Sequence, residues 1–97
     1  MRHDPEGHET AALDRVLPAL DGRRVLEVGC GDGRVTRRYA ARAGAVLAID
    51  PDAAAVAAFA AAMPPEWRGR VEVRAGALDA LGEPAPRFDV VLLSWSL

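Results

Sequence analysis

The chain has 97 residues, the length of one small domain, and its mix of 51% apolar and 27% charged residues is ordinary for a folded globular protein. A net charge of −2 does not supply the basic surface that nucleic-acid binders carry, so we expect no nucleic-acid partner. One cysteine excludes an internal disulfide, and no apolar run approaches the roughly 18 residues that cross a bilayer, so we expect a cytoplasmic protein without a membrane partner.

The first twenty residues predict a flexible arm followed by a helix. Residues 1–7 are polar and contain a proline and a glycine, and the domain itself is expected to occupy residues 8–97. From His8 to Leu20 the apolar residues recur at helical spacing, although Pro18 requires a kink or an early end. His3 and His8 have no cysteine nearby and no i, i+4 spacing, so no metal site is predicted.

Strand and helix patterns alternate along the rest of the chain. Short apolar runs predict buried strands, and longer segments with apolar residues at helical spacing predict helices. The predicted elements are, in chain order, a strand at 25–28, a helix at 34–43, a strand at 45–49, a helix at 53–63, a strand at 71–74, a loop or helical turn at 75–87, and a strand at 88–93. This order predicts an α/β fold with a parallel sheet and right-handed crossovers.

The stretch VLEVGCGDGR, residues 25–34, carries the first chemical signal, because a buried strand leads into a loop with glycine at 29, 31 and 33. A strand, a glycine-rich turn and a helix N-terminus together are typical of a phosphate or nucleotide site. A P-loop is excluded because the chain contains no lysine, and a dinucleotide motif would need its last glycine where Arg34 stands. Glu27 is a poor neighbour for a pyrophosphate and a good one for an ammonium or sulfonium group.

Asp50 carries the second signal, at the end of the second predicted strand. A helix of about 10 residues climbs ~15 Å and a five-residue strand runs back ~16 Å, so Asp50 should lie beside the glycine loop. A carboxylate there can accept hydrogen bonds from both hydroxyls of a ribose. Dinucleotide folds place an acid at the same point, and either Asp50 or Asp52 is expected to cap the next helix, a second role that Asp50 could combine with the first.

Residues 27–33, Glu-Val-Gly-Cys-Gly-Asp-Gly, resemble motif I of the class I S-adenosylmethionine-dependent methyltransferases, E/D-x-G-x-G-x-G. The resemblance implies a Rossmann-like parallel sheet in the order 3-2-1-4, flanked by helices, and S-adenosyl-L-methionine as the cofactor. It covers residues 9–97, which correspond to the first half of the family's fold. We therefore expect a partial domain, truncated before the later strands, that supplies the cofactor-binding half.

The resemblance also implies roles for individual residues. Glu27 is expected near the methionine part of the cofactor, holding its amino group directly or through water; the alternative is a solvated carboxylate at the strand end. Cys30 is expected as a small loop residue, because no histidine or acid is placed to activate it as a nucleophile. The predicted cofactor-binding residues are Glu27, Gly29, Cys30, Gly31, Gly33, Asp50, Pro51, Ala77, Leu78, Asp79 and Ser94.

Two further segments match the family less well. The family usually has an acid after the third strand that contacts the adenine amine, where this chain has Gly76 or Ala77 and only Asp79 nearby. The fourth strand resembles motif IV, but Ser94-Trp95-Ser96 does not match the Asn/Asp-Pro-Pro-aromatic run of enzymes that methylate nucleic-acid bases. Trp95 is expected either to pack in the core or to line the pocket.

These signals favour methyl transfer to an unidentified, small-molecule acceptor. No catalytic residue is assigned, because a sulfonium already activates its methyl group and the protein mainly has to align the reactants. The alternatives are a non-catalytic methyltransferase-like binding domain, a truncated inactive fragment, or another Rossmann-type enzyme that uses a nicotinamide or transfers an aminopropyl group. The apolar fourth strand would form an unprotected edge, through which we expect self-association.

Overall fold

The computed structural model describes residues 15, 17–81 and 87–94. Within these ranges four strands form one sheet, in the order β3-β2-β1-β4, and every pair is parallel. The predicted strand order is therefore confirmed. The strands are β1 Arg24–Val28, β2 Ala45–Asp50, β3 Val71–Ala75 and β4 Val90–Leu93. The predicted arm and residues 8–14 and 16 of the first predicted helix lie outside the described residues, whereas residues 17–20 are helical.

The helix after β1 is shorter than the sequence predicts. Helix α1 spans only Thr36–Tyr39 and is flanked by turns, where the apolar spacing predicts a helix over 34–43. Val35 occupies the N-cap position and has no side-chain oxygen to accept a free backbone N–H. After Tyr39 the backbone mixes α-helical and 3₁₀ hydrogen bonds. Arg70 Nη1 donates to the carbonyls of Ala40 and Ala43 at 3.0 and 2.9 Å. The segment is thus a series of helical turns with its end closed by a distant arginine.

Helix α2 spans Ala53–Ala62 and follows the predicted pattern closely. The Asp52 carboxylate accepts the Ala55 N–H at 3.1 Å, so Asp52 caps this helix. The helix ends before Pro64-Pro65, since a residue preceding proline avoids the helical conformation. Short 3₁₀ helices follow at Pro65–Trp67 and Leu78–Leu81. None of the described helices is long and apolar enough to cross a membrane.

The sheet has two unlike faces, which we call the helical face and the open face. On the helical face, Tyr39, Phe59 and Trp67 pack over the inward side chains of all four strands and form the larger core. The open face has a smaller core, and Leu81 and Phe88 pack against it. The buried members of that smaller core are Leu26, Leu47 and Ile49. Strand register places Val91 and Leu93 on the open face as well, where they are 57% and 42% exposed.

Candidate cofactor site

The loops that follow β1, β2 and β3 are tied together at the carboxyl edge of the sheet. The backbone N–H groups of Gly29 and Cys30 both donate to the Ile49 carbonyl, at 2.9 and 3.1 Å. The Gly76 N–H donates to the Asp50 carbonyl at 2.9 Å. These bonds bring the glycine loop, the end of β2 and the segment after β3 to one place, as expected where parallel strands end together.

Asp50 lies beside the glycine loop, as its sequence spacing predicts. Its Oδ2 accepts the Gly31 N–H at 2.8 Å, and its Oδ1 accepts the Asp52 N–H at 2.8 Å. The role of helix cap belongs to Asp52 and not to Asp50. A carboxylate offers about four acceptor positions, so this half-buried group keeps about two of them for the hydroxyls of a ligand.

Gly31 and Gly33 both have positive φ angles, +55° and +94°, but their surroundings differ. A Cβ on Gly33 would lie 2.9 Å from the Phe59 ring, so this glycine lets the loop pack on α2. A Cβ on Gly31 would meet no atom within 4 Å. The loop is therefore closed on its inner side and open at Gly31, where a ligand can approach the backbone.

Glu27 is fully buried on the helical face, so the alternative of a solvated strand-end carboxylate is wrong. Its Oε1 accepts hydrogen bonds from the Thr36 and Tyr39 hydroxyls, each at 2.6 Å. No described residue donates to its Oε2. The two hydroxyls were not among the predicted site residues. Their signal was a threonine and a tyrosine three residues apart, on the inward side of a helix that follows a strand carrying an acid.

Burial shapes the titration of two groups beside this carboxylate. Burial, and then the charge of Glu27, raises the pKa of the Tyr39 hydroxyl far above its ordinary value, so it remains a donor throughout the physiological range. Burial, and then the charges of Glu27 and Asp50, raises the pKa of the Cys30 thiol to about 12. A protonated, buried thiol is not an activated nucleophile, in agreement with its predicted part as a small loop residue.

An open groove of about 570 Å³ runs along the same edge, within the size range of small-ligand pockets. The residues that line it are Val28, Gly29, Ile49, Pro51, Gly76, Ala77 and Leu78. The Ser94 hydroxyl lies against the loop and donates to the Gly29 carbonyl at 2.8 Å. Cys30 is buried in the helical-face core, and the side chain of Asp79 and all of Trp95 lie outside the described parts of the chain.

A second groove, of about 440 Å³, lies nearer the amino ends of the strands and contains none of the predicted site residues. At that end the Asp89 carboxylate accepts the Arg24 N–H at 2.8 Å and so joins the start of β4 to β1. The second groove therefore does not belong to the site at the glycine loop.

A family model described as a methyltransferase domain matches residues 25–97, which include the glycine loop and all four strands apart from Arg24, the first residue of β1. The chain belongs to the class I S-adenosylmethionine-dependent methyltransferases. Its sheet order agrees with that assignment, and the cofactor of the family is S-adenosyl-L-methionine.

Relatives with assigned activities are considerably longer than this methyltransferase domain. A magnesium-protoporphyrin O-methyltransferase of Rhodobacter capsulatus is 35% identical over 97 residues, which is 95% of this chain and 42% of that protein. A ubiquinone biosynthesis O-methyltransferase of Azorhizobium caulinodans is 33% identical over 86 residues, which is 89% of this chain and 32% of that protein. The chain thus spans less than half the length of both relatives.

Solved structures of methyltransferases are similar to this domain as well. A Mesorhizobium loti S-adenosylmethionine-dependent methyltransferase is similar with a TM-score of 0.68 and 31% identity, over 86% of this chain and 38% of that one. A Trypanosoma brucei PRMT1 enzyme–prozyme complex with AdoHcy has a TM-score of 0.76 and 30% identity, over 94% of this chain and 29% of that one.

The residues of the methyltransferase site fit this cofactor. A Cβ at position 31 would occupy the open space beside the loop, so glycine keeps that space available to a ligand. The carboxylate of Asp50 at the rim of this space is suited to a ribose. The groove beside it is bordered by apolar side chains such as Pro51 and Leu78, on which an adenine ring can lie. The buried carboxylate of Glu27, with one oxygen lacking a donor, suits a cationic ligand better than a pyrophosphate.

Proposed function

We propose that this chain supplies the cofactor-binding half of a methyltransferase that acts on a small-molecule acceptor. The observation that carries the proposal is the Gly31–Asp50 hydrogen bond beside the open space at Gly31, which brings a diol-binding carboxylate and an accessible backbone together. When bound, S-adenosyl-L-methionine supplies a methyl group that its sulfonium sulfur already activates.

The chain's own residues then bind and orient. Asp50 accepts the ribose hydroxyls, and the backbone at Gly31 lies against the ligand without a side chain between them. Leu78 and Pro51 line the groove with apolar surface, on which the adenine ring can lie. Holding the ligand in one orientation is the main contribution that a protein makes to such an in-line transfer.

A small-molecule acceptor is supported by the relatives' names and by charge. Magnesium-protoporphyrin and ubiquinone biosynthesis appear in the names of two relatives, although a third, 41% identical over 71 residues, is a ribosomal RNA small subunit methyltransferase A of Pelotomaculum thermopropionicum. The net charge of −2 opposes the RNA alternative, because RNA binding relies on neutralising phosphates.

Two expectations about the protein's surroundings accompany this function. Strand β4 is an uncharged edge strand with exposed Val91 and Leu93 on its open face, which supports self-association of the 97-residue chain. The buried, free thiol of Cys30 supports a reducing compartment, the cytoplasm.

Calorimetry with S-adenosylhomocysteine tests the proposal, with Asp50→Ala and Asp52→Ala as a matched pair of carboxylate deletions. Asp50→Ala should weaken binding at least tenfold, because it removes the ribose acceptor. Asp52→Ala should leave the affinity within twofold, because that carboxylate caps α2.

Three results would overturn the proposal. They are a folded wild-type protein that does not bind S-adenosylhomocysteine, equal losses in the two variants, and preferential binding of a nicotinamide dinucleotide. Among these, dinucleotide preference would favour the other Rossmann-type enzymes. Retention of the cofactor by the whole protein without turnover on any acceptor would favour a non-catalytic binding domain.

A further inference from the structure

The least expected feature of the molecule is the buried carboxylate beneath the glycine loop. Glu27 has no exposed surface, and burying a carboxylate costs several kcal/mol unless partners compensate it. The described residues offer it no cation, and its partners are the hydroxyls of Thr36 and Tyr39. A group this costly that is held by neutral donors alone is poorly explained by stability.

The hydrogen bonds of this carboxylate are one-sided. Both hydroxyls donate to Oε1 at 2.6 Å, the short length of charge-assisted bonds, and Oε2 receives none from the described residues. An oxygen accepts about two hydrogen bonds, so Oε1 is saturated. Thr36 and Tyr39 are three residues apart on the same side of α1. Their two hydroxyls therefore fix the orientation of the carboxylate as well as its depth.

The charge held in this way acts on the loop. Cys30 lies within the loop, and the charges of both Glu27 and Asp50 raise its pKa. Glu27 is the fourth residue of β1 and stands two residues before Gly29, and the Gly31 N–H donates to Asp50, so a ligand at Gly31 lies within the field of both carboxylates. Through protein of low dielectric constant, a buried charge acts on a cation over several ångströms without touching it.

We propose that Thr36 and Tyr39 are positioning residues that hold the Glu27 charge beneath the glycine loop, where it makes the site prefer the cationic end of its ligand. This inference rests on the proposed function, since it names what the same site selects. The sulfonium form of the cofactor benefits most, the demethylated thioether less, and a neutral nucleoside not at all. The site would thereby favour the reactive cofactor over its product.

Calorimetry with three ligands of different charge tests the inference. The ligands are S-adenosylmethionine, with sulfonium and ammonium groups; S-adenosylhomocysteine, with the ammonium only; and 5′-methylthioadenosine, with neither. We expect Tyr39→Phe and Thr36→Val each to weaken S-adenosylmethionine binding about three- to tenfold, S-adenosylhomocysteine binding less, and 5′-methylthioadenosine binding less than twofold. Glu27→Gln, which keeps the shape and removes the charge, should reduce the preference at least as much.

Ser94→Ala is the matched control, because it removes a hydroxyl that contacts the loop but not Glu27. We expect Ser94→Ala to change the affinities for all three ligands by the same factor. If Tyr39→Phe is not folded by circular dichroism, Thr36→Val and Glu27→Gln decide the test.

Equal losses for all three ligands in the Glu27, Thr36 and Tyr39 variants would overturn the inference, since that is the result of a purely structural network. Unchanged affinities would overturn it as well. A folded wild-type protein that binds none of the three ligands would instead overturn the proposed function on which the inference depends.

Discussion

The helical face and the open face are built from the same four strands, yet they differ in what covers them. On the helical face Tyr39 and Phe59 are each 1% exposed, whereas Val91 on the open face is 57% exposed. The glycine loop rests on the helical face, through the contact of Gly33 with Phe59 and the bonds of Glu27 to α1. The comparison indicates that the described residues cover the sheet beneath the cofactor site more completely on the helical face than on the open face.

Phe59→Ala should give the largest effect, because it empties a fully buried position on the helical face. We expect the free energy of unfolding to fall by about 3–5 kcal/mol, measured by urea denaturation followed by circular dichroism. Val91→Ala on the open face should change it by less than about 0.5 kcal/mol. Comparable losses in both variants would contradict the difference between the faces.

Two glycine substitutions sharpen the comparison within the loop itself. Gly33→Ala should cost about 2–3 kcal/mol, since it adds a Cβ against the Phe59 ring to the strain of a positive φ. Gly31→Ala should cost about 1 kcal/mol, from its φ alone, because its Cβ meets open space.

The effects of the same two substitutions on cofactor binding should have the opposite order. In calorimetry with S-adenosylhomocysteine, Gly31→Ala should weaken binding more per unit of lost stability than Gly33→Ala. The reverse ranking would mean that the open space at Gly31 is not where the ligand lies.

Alkaline pH should lower the free energy of unfolding through two groups on the helical face, the Cys30 thiol and the Tyr39 hydroxyl. The pKa of the Cys30 thiol is raised from 9.0 to about 12, so the native state keeps this proton where the unfolded state loses it. Its contribution is complete below pH 9 and is lost as the pH rises from 9 to 12. By pH 10 the loss is about 1 kcal/mol, and the raised pKa of Tyr39 adds to the loss above pH 10.

Urea denaturation at pH 8 and pH 10 measures this effect, and Cys30→Ala is its control. The chain contains no lysine, so few other groups titrate in that interval. A stability loss in Cys30→Ala as large as in the wild type would show that the thiol is not its source.

Val91→Lys should have the smallest effect on stability, below about 0.5 kcal/mol, because the side chain is already exposed. It should nevertheless shift the 97-residue chain towards the monomer in light scattering, since a lysine on an edge strand opposes strand pairing. Ala57→Lys, at an exposed position of α2, adds the same charge on the other side of the sheet. Equal shifts in both variants would mean that net charge, and not β4, controls association.

The placement of Asp50 shows how far spacing carries a prediction. The spacing predicts this position from a helix of about ten residues, yet α1 has four and the flanking turns cover the rest. Asp50 still lies against Gly31, because strand register and the short loops at the carboxyl edge constrain the end of β2 more than the helix does. The partners of Glu27 did not follow from spacing in the same way, since they depend on how α1 is rotated about its axis.

The sequence by itself determined the parallel sheet, the glycine loop and the position of Asp50, because these follow from local periodicity and from where strands end, and its resemblance to the methyltransferase family implied the order of the strands. Only the tertiary structure decided that Glu27 is buried with one saturated oxygen, that Gly33 makes room for Phe59, and that Asp52 caps α2 in place of Asp50. The reason is physical: which side chains meet depends on the rotation and packing of whole elements, and residues as far apart in the chain as Gly33 and Phe59 meet only when the core closes.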